Sequence, residues 1–290
     1  MRQLKALLPR SLRGAIASRL RGRQFESRDV IRQRYLGEEL SVVNADGTSM
    51  GWYGADWPEG SHTEFDFLAS LGIPRDGMLF AIGAHQGIVA MLLKRKLVPQ
   101  GKVVSVEMDV LNAMACAENY RINSESGIVN LNVAISDRSG TLRAAGRSNS
   151  RIVTDSSIFS VLYPTIPTIS IADMVTTYGR PDAIYLDIEG AEVLALKGAG
   201  IGLGSVPVWY VELHGAEQCG AFGGSNHSVV ESFLGANYRV YFTADDDKPL
   251  LQLHDIADLP TKRCFMVATL IGAGAGVEGS SGESMDFAKP

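Results

Sequence analysis

The sequence has few cysteines and no long apolar run. Its three cysteines, Cys116, Cys219 and Cys264, show no C-x-x-C spacing. An odd number at wide spacing favours neither a disulfide framework nor a thiolate zinc site, and it suits a reducing compartment, so we expect a cytoplasmic protein. No stretch approaches the ~20 apolar residues of a membrane-spanning helix. The apolar run over 6–8 is short and ends at a proline, which predicts no signal peptide.

Acidic residues are missing from the first 23 positions, which carry seven cations. Within them, residues 8–21 place apolar side chains at helical spacing with arginines between. We expect a basic helix that either packs on its own domain or makes a weak contact with a membrane surface or a protein. The other 267 residues hold 20 cations against 32 acids, a balance of −12. Such a charge disfavours nucleic acid as a partner and suits a cationic ligand.

A glycine turn follows the first strand of the main domain. Met78 to Ile82 predicts a short apolar strand, followed by Gly83, Gly87 and an apolar helix. Such a turn directs backbone N–H groups at one point, and we expect its glycines to let a ligand approach. Twenty residues later, a second predicted strand ends at Glu107, a carboxylate that suits ribose hydroxyls. The pattern favours a nucleotide site, although a tight turn without a ligand is the alternative.

Further apolar runs predict five more strands, at 128–135, 183–188, 207–214, 238–242 and 264–271. Helical patterns lie between most of them. Strands that alternate with helices predict an α/β fold, a mainly parallel sheet with helices on both faces. Two short β-like runs are expected near residue 142 and over 166–171.

The sequence divides into three parts. Residues 1–55 are expected to form the basic helix and a lead-in, with a helix and irregular chain over 24–55. Residues 56–271 form the main domain, and the Gly- and Ser-rich residues 272–290 predict a disordered tail. The aromatic stretch 51–60 predicts either a lid or pocket rim, or a plain surface loop. Residues 215–226 predict a glycine-rich loop.

Carboxylates follow most of the predicted parallel strands. The residues concerned are Glu107, Asp137, Asp187 with Glu189, and Glu212 with His214. In an open α/β sheet, the carboxyl ends of the strands meet at the edge where ligands bind. An acid at a helix N-terminus also stabilises the helix dipole, which is an alternative role for Asp187 and Glu189. Because acids recur at strand after strand, we expect a shared site.

Six stretches together form a set of motifs. They are 82–87 (IGAHQG), 106–107 (VE), 134–137 (AISD), 169–173 (ISIAD), 187–199 (DIEGAEVLALKGA) and 211–214 (VELH). The most specific is the Asp-Ile-Glu-Gly-Ala-Glu run, at its distance from the glycine turn. Across about residues 60–245, the sequence resembles the FkbM-type S-adenosylmethionine-dependent methyltransferases.

The resemblance implies a class I, Rossmann-like methyltransferase fold over 56–271, a seven-stranded sheet whose last strand is antiparallel. It implies S-adenosylmethionine as cofactor and O-methylation of a hydroxyl on a sugar, glycan or natural-product acceptor. The implied cofactor contacts are Gly83, Ala84 and Gly87 at the methionine end, Glu107 at the ribose, Ser136 and Asp137 near adenine, and Asp187 and Glu189 near the methyl group. Ala81 stands where the family has an aspartate that helps hold the cofactor's amino end, and His85 with a neighbouring acid is a possible substitute.

A neutral hydroxyl acceptor needs a proton acceptor beside it, and in-line methyl transfer depends on positioning. We expect Asp187, Glu189 or His214 to take the proton, with Glu212 orienting His214 or the acceptor. No tight ligand motif predicts a metal, although this cluster is also suited to a divalent ion. A nicotinamide-dependent oxidoreductase would need glycine where His85 stands. Because of Ala81, a degenerate, non-catalytic methyltransferase fold that serves interaction is the main alternative.

Overall fold

The computed structural model describes residues 30–45, 47–145, 151–152 and 164–272. The predicted basic helix and the predicted tail beyond residue 272 lie outside this part of the chain. Across the described part, the longest helix has 13 residues, and none is both long and apolar enough to cross a membrane.

The chain leading to the main sheet forms a β-hairpin, β1 (Ile31–Tyr35) and β2 (Glu38–Val42), followed by the helices α1 (Ser49–Tyr53) and α2 (Thr63–Ser70). We had expected a helix and irregular chain here. Exposed and less exposed side chains alternate along β1, a period that fits a strand. Leu36 and Gly37 both have positive φ, as the tight turns of hairpins require. The turn at Leu36 and Gly37 therefore favours a hairpin over the predicted helix.

The remaining elements follow in chain order. They are β3 (Met78–Ile82), α3 (Ile88–Lys96), β4 (Lys102–Val106), α4 (Val110–Ile122), β5 (Ile128–Leu131), β6 (Ala134–Ile135), β7 (Gly140–Ala145), β8 (Arg151–Ile152), β9 (Thr165–Ile169), α5 (Ile171–Tyr178), β10 (Ala183–Leu186), α6 (Glu192–Ala199), β11 (Val208–Leu213), α7 (Gly215–Gly220), α8 (Asn226–Gly235), β12 (Tyr238–Thr243), β13 (Leu251–Gln252) and β14 (Cys264–Leu270). Short 3₁₀ turns cover Gly200–Ser205 and Ile256–Asp258.

The main sheet has the strand order β13-β12-β14-β11-β10-β3-β4-β5. The strands β11, β10, β3, β4 and β5 run parallel to their neighbours in that series. The last strand, β14, is antiparallel to both β11 and β12. The predicted fold class is confirmed, and the two-residue strand β13 adds an eighth member to the seven-stranded sheet.

Alternate residues of the strands face two separate cores. In β3, Phe80 and Ile82 join one core together with Leu196 of α6 and Phe233 of α8. Leu79 and Ala81 join the other, which includes residues of α2 and α3. Because both faces are covered, these strands are apolar throughout, as is typical of parallel sheets.

A four-stranded sheet with the order β6-β9-β7-β8 follows the main sheet. The predicted strand 128–135 is therefore divided, because its last two residues pair with β9. Asn132 lies at the division, and its side-chain amide donates to the carbonyl oxygens of Glu107 and Met108. The short β-like runs expected near residue 142 and over 166–171 are confirmed as β7 and β9.

Candidate active site

A cavity of about 630 Å³ opens at the carboxyl ends of β3, β4, β10 and β11. Its lining includes six acids: Glu64, Glu107, Asp187, Glu189, Glu212 and Asp246. Among the described lining residues, Arg263 is the single Lys or Arg side chain. The shared site expected from the strand-end carboxylates is thus formed by Glu107, the Asp187–Glu189 loop and the end of β11.

The glycines of the turn after β3 are required by the protein's own packing. Gly83 has φ +84°, and a Cβ there would fall 1.6 Å from the carbonyl oxygen of Asp187. Gly87 has φ +88°, and a Cβ there would fall 2.6 Å from the Tyr120 ring. We had expected both to make room for a ligand. Gly83 lines the cavity, whereas Gly87 and the buried Ala84 do not.

His85 connects this turn to the N-terminal segment. It has φ +50°, a left-handed conformation that non-glycine residues seldom adopt and that is enriched at functional sites. Its Nδ1 lies 2.9 Å from the Tyr53 hydroxyl, and Trp52 packs edge-on against the ring. Trp52, Tyr53 and Trp57 line the cavity, so the aromatic stretch forms a pocket rim.

Glu107 follows β4 and is held by main-chain donors. One carboxylate oxygen accepts the His85 N–H at 2.9 Å, and the other accepts the Asp109 N–H at 2.7 Å. Burial raises the pKa of Glu107 to about 8, and these N–H groups only partly oppose the rise. The result is a carboxyl group with a fixed position in the cavity wall.

The wall beside Glu107 is mainly apolar and includes Met108, Ala134 and Ile135. Ser136 and Asp137 come next in the chain but do not line the cavity, and the Ser136 hydroxyl donates to the Asp137 carboxylate at 3.2 Å. Their role near adenine stays a prediction.

A second group of polar side chains surrounds His214, which is 3% exposed. Its Nδ1 lies 2.9 Å from a carboxylate oxygen of Glu192. Its Nε2 lies 3.4 Å from Asp187 and 3.3 Å from Glu212. Glu189 is slightly further, at 3.9 Å. We call these five residues the His214 cluster.

The carboxylates around His214 favour the protonated form of its imidazole. Burial lowers the pKa of His214, but the hydrogen bond to Glu192 and the charges of Asp187 and Glu212 outweigh it and raise the pKa to about 9. The pKa of Asp187 is raised by burial and by Glu212, while His214 opposes the rise. About a third of the Asp187 side chain is exposed. The cluster therefore combines an imidazolium with a carboxylate of increased basicity.

Arg263 and Gln218 hold the outer carboxylates of the cluster. The Arg263 guanidinium donates to Glu212 and lies 4.7 Å from the centre of the Phe265 ring. The Gln218 amide donates to Glu189 at 2.8 Å. Glu189 has φ +57°. Among the described residues that line the cavity, the two non-glycine residues with positive φ are His85 and Glu189, and both belong to loops that follow strands.

Glu192 is the functional candidate that sequence reasoning missed. It lies in the first turn of α6 with no exposed surface. Besides its contact with His214, it accepts the Gly190 N–H at 3.1 Å and lies 3.6 Å from the Cys219 thiol. Glu189 precedes the helix and has φ +57°, so helical spacing gave no signal that Glu192 joins it at the site.

Three atoms of this cluster are also placed for a cation. One ligand atom each from Asp187, Glu212 and His214 lies within 4.8 Å of the others. Glu192 holds the Nδ1 side of the imidazole, an arrangement seen around histidines that bind metals. An imidazolium at His214 satisfies the same carboxylates without a metal.

No curated protein matches the chain. An FkbM methyltransferase from Methylobacillus flagellatus is 15% identical, with a TM-score of 0.45 over 67% of this chain and 44% of that one. The chain thus spans less than half the length of that relative.

A SAM-dependent methyltransferase from Aquifex aeolicus is 12% identical, with a TM-score of 0.42 over 77% of this chain and 93% of that one. A precorrin-6y C5,15-methyltransferase from Geobacter metallireducens is 10% identical, with a TM-score of 0.42 over 70% and 84%. These likenesses are distant and carry no argument about the reaction.

The sequence match is more specific. The Methyltransferase FkbM domain matches residues 81–240, more than half of the 290 residues. This region contains the glycine turn, Glu107 and the whole His214 cluster. The chain therefore belongs to the FkbM methyltransferase family, whose cofactor is S-adenosylmethionine.

Proposed function

We propose that this protein transfers the methyl group of S-adenosylmethionine to a hydroxyl of a sugar, glycan or natural-product acceptor. The observation that carries the proposal is the His214 cluster, which lies in the same cavity as Glu107. A hydroxyl acceptor needs a nearby group that takes its proton, and this cluster offers one at the carboxyl ends of β10 and β11.

The residues present fit the cofactor. It carries two positive groups, a sulfonium and an ammonium, and the cavity is lined by six acids. The main-chain N–H groups that hold Glu107 leave a lone pair on each carboxylate oxygen for a ribose hydroxyl. A volume of about 630 Å³ lies within the range of small-molecule sites.

S-adenosylmethionine, when bound, supplies an electrophilic methyl group on sulfur. In this proposal Asp187 accepts the hydroxyl proton, because burial and Glu212 increase its basicity. His214 holds a positive charge between Asp187 and Glu212 through Nε2, and Glu192 fixes its ring through Nδ1. Glu189 and Glu212 orient the acceptor beside them. The residues thus position the acceptor and receive its proton.

The domain limits are also proposals. The methyltransferase domain would start near residue 56, but two asparagines, one in α4 and one directly after it, favour including the hairpin. Asn123 accepts the Ser41 N–H at 2.9 Å, and Asn119 accepts the Val43 N–H at 2.7 Å. We propose that this segment is part of the catalytic unit; the basic stretch 1–23 lies outside the described residues.

The alternative is a methyltransferase fold without activity. Its motivation was Ala81, which lies in the core with 1% exposure and does not line the cavity. Glu107 and the acids of the His214 cluster, however, all line or adjoin the cavity and keep their hydrogen-bonding partners, which supports an active enzyme. Removal of residues 1–23 should abolish binding of a protein partner if the chain serves interaction.

Calorimetric titration with S-adenosylmethionine and S-adenosylhomocysteine tests the proposal. We expect micromolar binding to the wild-type chain and its loss in Glu107→Ala. Binding then justifies a screen of hydroxyl acceptors with methyl-labelled cofactor. A wild-type chain that binds neither ligand would refute the active-enzyme proposal and favour the interaction protein.

A further inference from the structure

Glu64 is a buried acid that the proposed mechanism does not use. It lies in the first turn of α2 with 4% exposure, and it lines the cavity. Its carboxylate lies 3.3 Å from Nδ1 of His62, whose ring stacks on Trp57. Among the described residues, His62 is its only hydrogen-bonding partner. A carboxylate removed from water needs compensation by a partner of opposite charge.

The neighbours of Glu64 show which side of the cavity it lines. Tyr185 of β10 and Tyr210 of β11 are stacked with their ring centres 4.0 Å apart. Burial raises the pKa of both phenols, and the negative charge of Glu64 raises them further. Glu64 therefore lies over the β10–β11 side of the cavity. Ala81, the sheet partner of Tyr185, supplies no charge there.

The strand order determines which residues lie on opposite sides of the cavity. Glu107 follows β4, Gly83 follows β3, and Tyr185 lies in β10, the next strand. Neighbouring strands are about 4.8 Å apart, so β4 and β10 are separated by about 10 Å. A cofactor whose ribose bound Glu107 and whose methionine chain crossed the glycine turn would end on the side where Glu64 lies.

Of the other acids that line this side, Asp246 is partly exposed to solvent, and the remaining three have partners. Asp187, Glu189 and Glu212 face His214, and Glu212 also binds Arg263. The sulfonium has to face these residues, because the methyl group leaves from it towards the acceptor. The ammonium of the methionine moiety is then the cofactor's remaining cation, and Glu64 is the buried acid on this side of the cavity that, in the described chain, contacts neither His214 nor a Lys or Arg.

We propose that Glu64 binds the ammonium group of the cofactor's methionine moiety. This inference rests on the proposed function, and it assigns a binding role to a helix that precedes the sheet. A charge-assisted hydrogen bond to a buried carboxylate is worth about 10- to 100-fold in affinity.

Three ligands separate the roles that Glu64 can have. S-adenosylmethionine carries the ammonium and the sulfonium, S-adenosylhomocysteine carries the ammonium alone, and 5′-methylthioadenosine carries neither. The variant is Glu64→Gln, with Glu64→Asp as the charge-conserving form. The matched control is Asp66→Asn, because Asp66 is an exposed acid in the same first helical turn. Thermal unfolding and circular dichroism compare the folds.

Calorimetry on the full chain is expected to show both amino-acid ligands weakened about 10- to 100-fold in Glu64→Gln, with 5′-methylthioadenosine within about twofold of wild type. Glu64→Asp should lose less affinity for these two ligands, and Asp66→Asn should bind all three ligands as wild type does. Unchanged affinities in Glu64→Gln, an equal loss for all three ligands, or a loss for S-adenosylmethionine alone would overturn the assignment. A wild-type chain that binds none of them overturns the proposed function and this assignment with it.

Discussion

The two ends of the cavity hold their acids in different ways. Glu107 is fixed by the N–H groups of His85 and Asp109, donors that keep their proton at any pH. His214 and its carboxylates are fixed by one another, through charges that depend on protonation. The first arrangement suits the binding of a neutral hydroxyl, and the second suits the movement of a proton. The comparison indicates a division between binding and chemistry.

The strongest test of this division uses one variant at each end. With the cofactor saturating, His214→Ala should lower kcat about 10²- to 10⁴-fold, because the positive charge that holds Asp187 and Glu212 in place is lost, and leave the Kd of S-adenosylmethionine within about threefold. Asp187→Asn should lower kcat similarly. Glu107→Ala should raise that Kd and leave kcat largely intact at saturation. Normal turnover in both His214→Ala and Asp187→Asn would show that the proton acceptor lies elsewhere.

Glu192 acts through His214, so its effect should be smaller. In Glu192→Gln we expect kcat to fall about tenfold, because Asp187 and Glu212 still face Nε2. The charge of Glu192 raises the pKa of His214, so the alkaline limb of the pH–rate profile should move to lower pH. Glu192→Asp should restore that limb in part. Glu217→Gln, which changes an exposed acid of α7, is the control. An unmoved limb in Glu192→Gln would contradict this positioning role.

The unfolding temperature should also depend on His214. Its pKa is about 9 in the folded chain and about 6.5 in an unfolded one. Because the folded value is the higher, the stabilisation is complete below about pH 6.5 and is lost as the pH rises through about 9. Wild type should exceed His214→Gln in Tm by roughly 5 °C at pH 6, and the difference should shrink towards pH 10. A difference that does not change with pH would contradict the charged cluster.

The smallest expected effect is that of a chelator. If an imidazolium satisfies the His214 cluster, EDTA should leave the rate of methyl transfer unchanged. Activity that is lost in EDTA and restored by Mg²⁺ would instead place a cation between Asp187, Glu212 and His214. That result would mean that the His214 cluster both binds a ligand, the cation, and takes part in the reaction.

Sequence reasoning predicts the parts of this molecule that depend on local pattern. The strands at 78–82 and 102–106 are continuous apolar runs, and the parallel order brings the acids after them to one edge. The hairpin over 31–42 was missed, since a two-residue turn with positive φ outweighs the mixed composition around it. Local patterns thus predict elements more securely than the turns that join them.

The site was predicted in part for a related reason. Asp187, Glu212 and His214 lie at strand ends, so their convergence follows from topology. The inward direction of Glu192 depends on how α6 packs, and the position of Glu64 depends on a helix that precedes the sheet. Such long-range contacts leave little trace in a single sequence.

The contact at Gly83 has a mechanical consequence. Because the main chain of this residue touches the Asp187 carbonyl, the loops after β3 and β10 have no space between them in which to slide. We expect a ligand that immobilises the first loop to immobilise the second as well, and a methyl group added at residue 83 to force the two loops apart. We therefore expect the proposed nucleotide end and the proposed reactive end of this cavity to move together.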